Sequence, residues 1–298
     1  LLKQRYDQLP NAILNAEKIG LNHGAALYPM VTANGEECHN EWEITFEEIH
    51  RNAAIAQAIK KYLNFSNDNE FMINKGIKIL IAISRFWEQR VNYSNALNKY
   101  VILGVTGPNE YENNVDNNWY TNYSAKWCLE YTNETLKEIA DTNLDHYKKI
   151  SSETSLEKTE ISKWNKIINN IYLPYCKDLN VFIQNDGFLN KDLLPVNSIP
   201  IDQRPINQHW SWDKILRSPY IKQADVLQGF YFFEDDFSKD ELLNNFNYYE
   251  QFTVHESSLS ACIHSILASK ANDLNKAYDY FVRASRLDLD DYNKEIKQ

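Results

Sequence analysis

The sequence predicts an all-α protein in which helices are joined by long polar loops. Apolar residues recur at three- and four-residue spacing in several segments, which is the period of one face of a helix. No Gly-, Ser- or Pro-rich linker and no break in composition divides the chain, so we expect one domain. The polar connections are longer than about 12 residues, a length that is often functional. They cover Tyr28–Trp42, Thr106–Asn118, Gln184–Arg204 and Asn207–Lys222.

The first helices are predicted by their apolar spacing and by the residues at their ends. One covers Asn11–Ile19, and Gly20 follows at the position where a helix C-terminal glycine belongs. A second runs from Ile49 to Leu63, and a third covers Phe71–Trp87 with Asp68 as its N-cap.

The second half of the chain continues the helical pattern. Ser238-Lys239-Asp240-Glu241 has the form of a capping box, in which a serine and a glutamate satisfy the free N–H groups that begin a helix. Further helices are predicted at Trp119–Ile139, Leu156–Ile171, Leu259–Lys270 and Leu274–Arg286.

Composition excludes several classes of protein. The 298 residues carry a net charge of −10, which argues against binding to nucleic acid or to an anionic membrane surface. No stretch approaches the roughly 18–20 apolar residues that span a bilayer. The four cysteines lie far apart without a C-x-x-C pair, so we expect free, buried thiols in a cytoplasmic protein rather than a disulfide scaffold or a zinc site.

The segment Gly107–Asn118 joins a Gly-Pro turn to two carboxylates, Glu110 and Glu112, among several amide side chains. Cleavage of a glycosidic bond needs a carboxylic acid held against the leaving oxygen, and amides suit sugar hydroxyls. A polar surface loop is the alternative, and composition alone favours that alternative.

Two later segments offer binding groups. Thr253–Ser260 places His255 and serines before an apolar helix, where free N–H groups and the helix dipole favour an anion; an ordinary serine cap is the alternative. Lys222 and Gln223 could clamp sugar hydroxyls or could begin a solvated helix.

A fourth segment, Gly24–Glu43, mixes aromatic residues, carboxylates and a histidine, which suits the apolar faces and polar rim of a pyranose. The spacing of His39, Glu41 and Glu43 matches neither a zinc nor a calcium site. The chain also lacks a Gly-x-Ser-x-Gly elbow and a glycine-rich phosphate loop. We therefore expect no metal and no cofactor.

Taken in order, these segments resemble glycoside hydrolase family 65, the inverting disaccharide phosphorylases. Phe86–Val91 and Arg286–Tyr292 add to a likeness that runs through nearly the whole chain. The resemblance implies an (α/α)6 barrel, with residues 1–298 forming part of one catalytic domain that is incomplete at both ends. The family's N-terminal β-sandwich and C-terminal parts are absent from these residues. Ala261 is one departure, because the family usually has proline there. The other is the family's upstream Trp-Asp motif, which contacts the glucosyl unit and is not found in these residues.

The resemblance also implies a role for each candidate residue. Glu110 matches the family's general acid. The other roles are phosphate binding by His255, Ser257 and Ser258, glucosyl binding by Lys222 and Gln223, and substrate choice by His39, Asn40 and Glu41. The last three match the maltose-specific form of a segment that differs among the maltose, trehalose and kojibiose enzymes.

The implied reaction is cleavage of maltose by inorganic phosphate, a co-substrate, to β-glucose 1-phosphate and glucose, in a homodimer. A trehalose or kojibiose phosphorylase, a related hydrolase and a non-catalytic carbohydrate-binding barrel are the alternatives. Glu256 would be the general base of a hydrolase. We expect it to point away from the phosphate, because a negative charge there would weaken phosphate binding.

Overall fold

The computed structural model describes residues 1–39 and 44–291. The chain divides into two compact units. The first contains Leu1–Leu103 and Thr121–Tyr172, and the second contains Gly104–Tyr120 and Leu173–Gln298. The prediction that all 298 residues belong to one catalytic domain stays a prediction.

Helices dominate the described residues, in agreement with the predicted all-α class. Those that begin before Leu173 are α1 Leu2–Asp7, α2 Leu9–Lys18, α3 Ile44–Glu47, α4 Arg51–Ser66, α5 Asn69–Phe71, α6 Ile77–Arg90, α7 Trp119–Thr142, α8 Leu144–Thr154 and α9 Lys158–Asn170. Those that follow are α10 Ile206–His209, α11 Trp212–Leu216, α12 Val226–Phe232, α13 Lys239–Glu250, α14 Ser260–Lys270 and α15 Leu274–Asp290.

The predicted helix ends agree with the structure. Gly20 has a φ of +85° after α2, which is the left-handed conformation expected of a C-terminal glycine. The Asp68 carboxylate accepts the Phe71 N–H at 2.9 Å, as an N-cap does. Ser238 and Glu241 form the predicted capping box of α13.

The third predicted helix is not regular. A π-helical turn, Met72–Gly76, lies between α5 and α6. Gly76 permits close packing there, because a Cβ atom on it would lie 3.0 Å from the Met72 sulfur. Two short antiparallel hairpins were also not predicted; they pair Asn92–Ser94 with Lys99–Val101 and Tyr175–Cys176 with Val181–Phe182.

Each unit has its own buried core. In the first, Trp87 and Trp164 are fully buried. In the second, Trp119 stacks on Phe182 with ring centroids 4.8 Å apart. Gly229 of α12 faces the same indole so closely that a Cβ atom would lie 2.4 Å from it. Aromatic packing therefore fixes α12 next to the loops that carry the candidate site.

The cysteines are all free, as predicted, but not all are buried. Cys128 is buried, whereas Cys38 and Cys262 are exposed, so the prediction of buried thiols is wrong for those two. Within the described part of the chain, no helix has the length and apolar character needed to cross a membrane.

Candidate active site

The Glu110 loop, residues 105–115, is closed at its base by a pair of backbone hydrogen bonds. Val105 and Val115 each donate an N–H to the carbonyl of the other at 2.8 Å. Glu110 lies at the tip of this loop, after the Gly107-Pro108 turn. At Gly107 a Cβ atom would lie 2.3 Å from side-chain atoms of Asn118 and Asp225. Only glycine fits this turn.

The carboxylate of Asp225 holds the Gly107-Pro108 turn in place. No sequence pattern indicated this role of Asp225. Its carboxylate accepts the Asn109 N–H at 3.0 Å and the Asn118 amide at 2.9 Å. The residue is 3% exposed. Burial raises the pKa of Asp225 to about 7, although the hydrogen bonds from Asn109 and Asn118 act in the opposite direction.

The structure brings Glu110, Lys222 and Gln223 together. The Lys222 ammonium lies 2.8 Å from Glu110 Oε2, and its backbone N–H donates to Asn109 Oδ1 at 2.9 Å. The Gln223 amide donates to the Pro108 carbonyl at 2.9 Å. The Lys-Gln pair therefore holds the tip of the Glu110 loop from one side.

The two carboxylates of the loop have different environments. The Glu110 side chain is 36% exposed. Glu112 is buried, accepts the amides of Gln184 and Asn185 at 2.8 and 2.9 Å, and pairs with Lys191 at 2.9 Å. Glu112 is thus bound within the protein, and Glu110 is the carboxylate that can meet a ligand.

The His255 segment, residues 253–260, lies beside Lys222. Ile221 and Thr253 form a parallel bridge, and the Glu256 N–H donates to the Lys222 carbonyl at 3.2 Å. Lys222 is therefore bonded through its backbone to both the Glu110 loop and this segment.

The His255 ring is buried and both of its nitrogens have protein partners. Nδ1 lies 2.8 Å from Ser260 Oγ, and Nε2 lies 2.8 Å from the Tyr280 hydroxyl. Burial, reinforced by the nearby His264, lowers the pKa of His255 well below its ordinary value. The backbone has a φ of +55°, and Arg283 donates to its carbonyl at 2.6 Å.

Ser257 and Ser258 precede α14, whose N-terminus begins at Ser260. Ser257 Oγ accepts the Leu259 N–H at 3.2 Å, and the Ser258 side chain is exposed. Backbone N–H groups and the helix dipole at this position favour an anion.

Glu256 is turned into the protein, as expected. Its carboxylate accepts the backbone N–H groups of Ile206 and Asn207 at 2.6 and 3.3 Å and the hydroxyl of Tyr111. With 7% exposure, this carboxylate supports the loop that carries Ile206.

Glu250, His255 and His264 form a cluster that the sequence spacing did not predict. One potential metal-ligand atom from each residue lies within 4.8 Å of the others. The Glu250 carboxylate is paired with His264 Nδ1 at 2.6 Å, with Lys276 at 3.4 Å and with the Tyr280 hydroxyl. Hydrogen bonds and charges within the protein therefore occupy Glu250 and both nitrogens of His255, whereas the buried Nε2 of His264 has no hydrogen-bond partner among the described residues.

The predicted specificity residues belong to the first part of the chain. His39 lies in the first unit, where its N–H donates to the Glu37 carboxylate at 3.2 Å. Asn40, Glu41 and the neighbouring Trp42 lie outside the described residues. The role of this segment in substrate choice stays a prediction.

Comparison with known proteins gives one consistent family. The family described as "Glycosyl hydrolase family 65 central catalytic domain" matches residues 1–298. The chain is 51% identical over its full length to maltose phosphorylase of Bacillus subtilis (strain 168) and 42% identical to an alpha,alpha-trehalose phosphorylase of Thermoanaerobacter brockii. It spans 38% of the length of each of these relatives.

A solved structure shows the same fold. The structure described as "Putative kojibiose phosphorylase from human microbiome" matches 97% of this chain and 38% of its own, with a TM-score of 0.88 and 37% identity. This likeness confirms the predicted fold, an all-α chain of the (α/α)6-barrel type.

Proposed function

The chain belongs to glycosyl hydrolase family 65 through its central catalytic domain, and we propose that it is the catalytic region of a maltose phosphorylase. Such an enzyme cleaves maltose with inorganic phosphate to β-glucose 1-phosphate and glucose. The observation that carries the proposal is the position of Glu110, an accessible carboxylate on a rigid turn, paired with Lys222. Lys222 is bonded to the segment that precedes α14, where free N–H groups and the helix dipole favour an anion. The 51% identity to a maltose phosphorylase, against 42% to a trehalose phosphorylase, supports maltose as the substrate.

The reaction is a single displacement with inversion. Glu110 gives a proton to the glycosidic oxygen as the bond from that oxygen to the anomeric carbon breaks. A phosphate oxygen, held by the segment of His255, Ser257 and Ser258, supplies the electron pair of the new bond from the opposite face. The products are glucose and β-glucose 1-phosphate.

In this proposal Lys222 also binds the hydroxyls of the glucosyl unit. The ion pair with Glu110 requires the ionised carboxylate, whereas a general acid must carry a proton. We expect Lys222 and Gln223 to turn to the hydroxyls of the glucosyl unit when the sugar binds, which frees Glu110 from its cation.

A hydrolase of the same fold is the second candidate, and Glu256 argues against it. An inverting hydrolase needs a second carboxylate that activates water. Glu256 is the carboxylate of the His255 segment, and its oxygens are bound by Ile206, Asn207 and Tyr111. Phosphate, which brings its own nucleophilic oxygen, needs no such base.

Several expectations accompany the proposal. Inorganic phosphate is a co-substrate, and the reaction needs no metal or other cofactor. The partners are small molecules, with no nucleic acid or membrane, and the whole protein is a cytoplasmic homodimer. Each of these remains a prediction.

The test uses the full-length parent protein. Glucose and β-glucose 1-phosphate are measured after incubation with maltose, with and without inorganic phosphate, and trehalose and kojibiose are the comparison substrates. We expect products from maltose only when phosphate is present, and none from Glu110→Gln. Glucose release without phosphate would turn the assignment to a hydrolase, and turnover of another disaccharide alone would overturn maltose.

A further inference from the structure

A continuous chain of hydrogen bonds runs from Glu250 to the start of α14. The Tyr280 hydroxyl donates to Glu250 Oε1 and lies 2.8 Å from His255 Nε2. On the other side of the imidazole, His255 Nδ1 lies 2.8 Å from Ser260 Oγ. Glu250 is on α13, Ser260 on α14 and Tyr280 on α15, so this chain connects three helices of the second unit.

The direction of each hydrogen bond follows from the carboxylate. An ionised carboxylate only accepts, so the single Tyr280 proton points to Glu250. The Tyr280 oxygen must then accept from His255 Nε2–H. A neutral imidazole carries one proton, so Nδ1 presents a lone pair and accepts the hydroxyl proton of Ser260.

The charged groups around these hydrogen bonds agree with the donors and acceptors assigned to them. Burial alone would raise the pKa of Glu250, but the hydrogen bond and charge of His264, with a smaller effect of the Tyr280 hydrogen bond, lower it to about 2. Burial and the Glu250 charge raise the pKa of Tyr280, so the hydroxyl keeps its proton. Besides His264, the cations of the described residues that face the cluster include Lys276, 3.4 Å from Glu250, and Arg283, bound to the His255 carbonyl.

We propose that Glu250 and Tyr280 are positioning residues that hold His255 as its Nε2–H tautomer and thereby fix the phosphate-binding backbone at Ser257 and Ser258. This inference rests on the proposed function. The His255 ring acts through the protein rather than on the phosphate, because it is buried and both nitrogens are taken. This differs from the direct phosphate contact that the family resemblance implies for His255.

The left-handed backbone conformation of His255 explains why the contacts of its ring affect Ser257 and Ser258. A φ of +55° is uncommon for a residue with a side chain and persists only when surrounding contacts hold it. The ring is held by Ser260 and Tyr280, and the carbonyl by Arg283. Ser257 and Ser258 follow directly, so their orientation depends on these contacts.

The first experiment is Tyr280→Phe in the full-length parent protein, which removes only the hydroxyl. We expect KM for phosphate to rise about tenfold, the effect of one buried hydrogen bond, while KM for maltose changes less than about twofold. Tyr278→Phe is the matched control on the same helix, since Tyr278 is 66% exposed, and it should change neither constant. If kcat falls and the KM values for phosphate and for maltose rise by the same factor, the role of Tyr280 is purely structural and the inference is overturned.

The second experiment reads the tautomer itself. Histidines are labelled with nitrogen-15, and the His255 signals are identified by their loss in His255→Gln. We expect the proton on Nε2 in the wild type. In Glu250→Gln the amide N–H₂ can donate to the Tyr280 oxygen. The Tyr280 hydroxyl must then donate to His255 Nε2, so the single imidazole proton moves to Nδ1. A wild-type ring protonated at Nδ1 or at both nitrogens near neutral pH contradicts the proposal.

The outcomes separate the two proposals. If the wild type shows no phosphate-dependent cleavage, the proposed function fails, and the tautomer measurement still tests the hydrogen-bond chain. If the wild type is a phosphorylase and Tyr280→Phe leaves KM for phosphate unchanged, the positioning role alone is wrong.

Discussion

The ammonium of Lys222 lies 2.8 Å from the carboxylate of Glu110, and the backbone of the same lysine is bonded on both sides. Its N–H donates to Asn109 in the Glu110 loop, and its carbonyl accepts from Glu256 in the His255 segment. A displacement of Lys222 therefore moves the candidate acid and the candidate phosphate segment together.

Removing the lysine charge tests the ion pair between Lys222 and Glu110, since the backbone bonds of Lys222 remain in the variant. In Lys222→Met we expect kcat/KM for maltose phosphorolysis to fall about 10- to 150-fold, the range for a lost hydrogen bond to a charged group. Lys222→Arg keeps the charge and should recover part of the loss. Steady-state kinetics on both variants measures the effect, and wild-type kinetics in Lys222→Met would contradict the role.

Gly107 should tolerate no side chain. In Gly107→Ala the new Cβ atom would meet Asn118 and Asp225 at 2.3 Å, so the turn must shift and carry Glu110 with it. We expect kcat to fall by more than about a hundredfold and the free energy of unfolding to fall by about 1–3 kcal/mol. Urea unfolding and activity assays measure both.

The control for this change is Gly20→Ala. Gly20 has a φ of +85°, but the space that its Cβ atom would occupy is open, so the substitution is strained without a clash. It should cost about 1–2 kcal/mol of stability and leave kcat and KM unchanged. Equal losses of activity in the two variants would show that the Gly107 effect is not local.

Asp225 should make stability depend on pH. Its pKa is raised from 3.8 to about 7, so between these values the native protein holds a proton that the unfolded chain has released. The free energy of unfolding should therefore fall as the pH rises through this range. Asp225→Asn cannot ionise and lacks this contribution.

Urea unfolding at about pH 5 and about pH 8 measures the difference between the wild type and Asp225→Asn. We expect the wild type to lose stability relative to the variant on going to the higher pH. Parallel curves for the two proteins would show that Asp225 titrates at the same pH in the folded and unfolded states.

Glu256→Gln should affect folding rather than create or remove a hydrolysis reaction. An amide has one oxygen where the carboxylate has two, so one N–H of Ile206 or Asn207 faces another donor. We expect the free energy of unfolding to fall by about 1–3 kcal/mol, and by about 0.5–1.5 kcal/mol in Tyr111→Phe. The ratio of phosphate-dependent to phosphate-independent glucose release should not change; its change would identify Glu256 as a base.

The sequence predicted features that depend on neighbouring residues. The caps at Asp68 and Ser238 and the glycine end of α2 were all recognisable, because each involves residues within about one turn. Helix α8 was missed although Asn143, a local signal, caps the N–H groups of Asp145 and His146; of its residues Ile150 alone is buried, so few apolar positions mark it.

The site was predictable in part. Glu110 and Lys222 were identified by resemblance, but their contact was not. The bond from Asn109 to Asp225 joins residues 116 positions apart, and no local pattern marks Asp225 as the anchor. The Glu250 cluster is likewise assembled by the packing of three helices, and its members show no metal-ligand spacing.

The contacts of the Glu110 loop with Lys222 and Asp225 have a consequence for synthesis on the ribosome. Glu110 precedes Lys222 by 112 residues. At about 5–20 residues per second, roughly 6–22 s separate the two during translation. In that interval the Glu110 loop has neither its cation nor its Asp225 anchor. Helices formed by neighbouring residues can fold first, and the acid is oriented only when the later part of the chain arrives. In refolding experiments, recovery of activity should therefore lag behind recovery of helical circular dichroism.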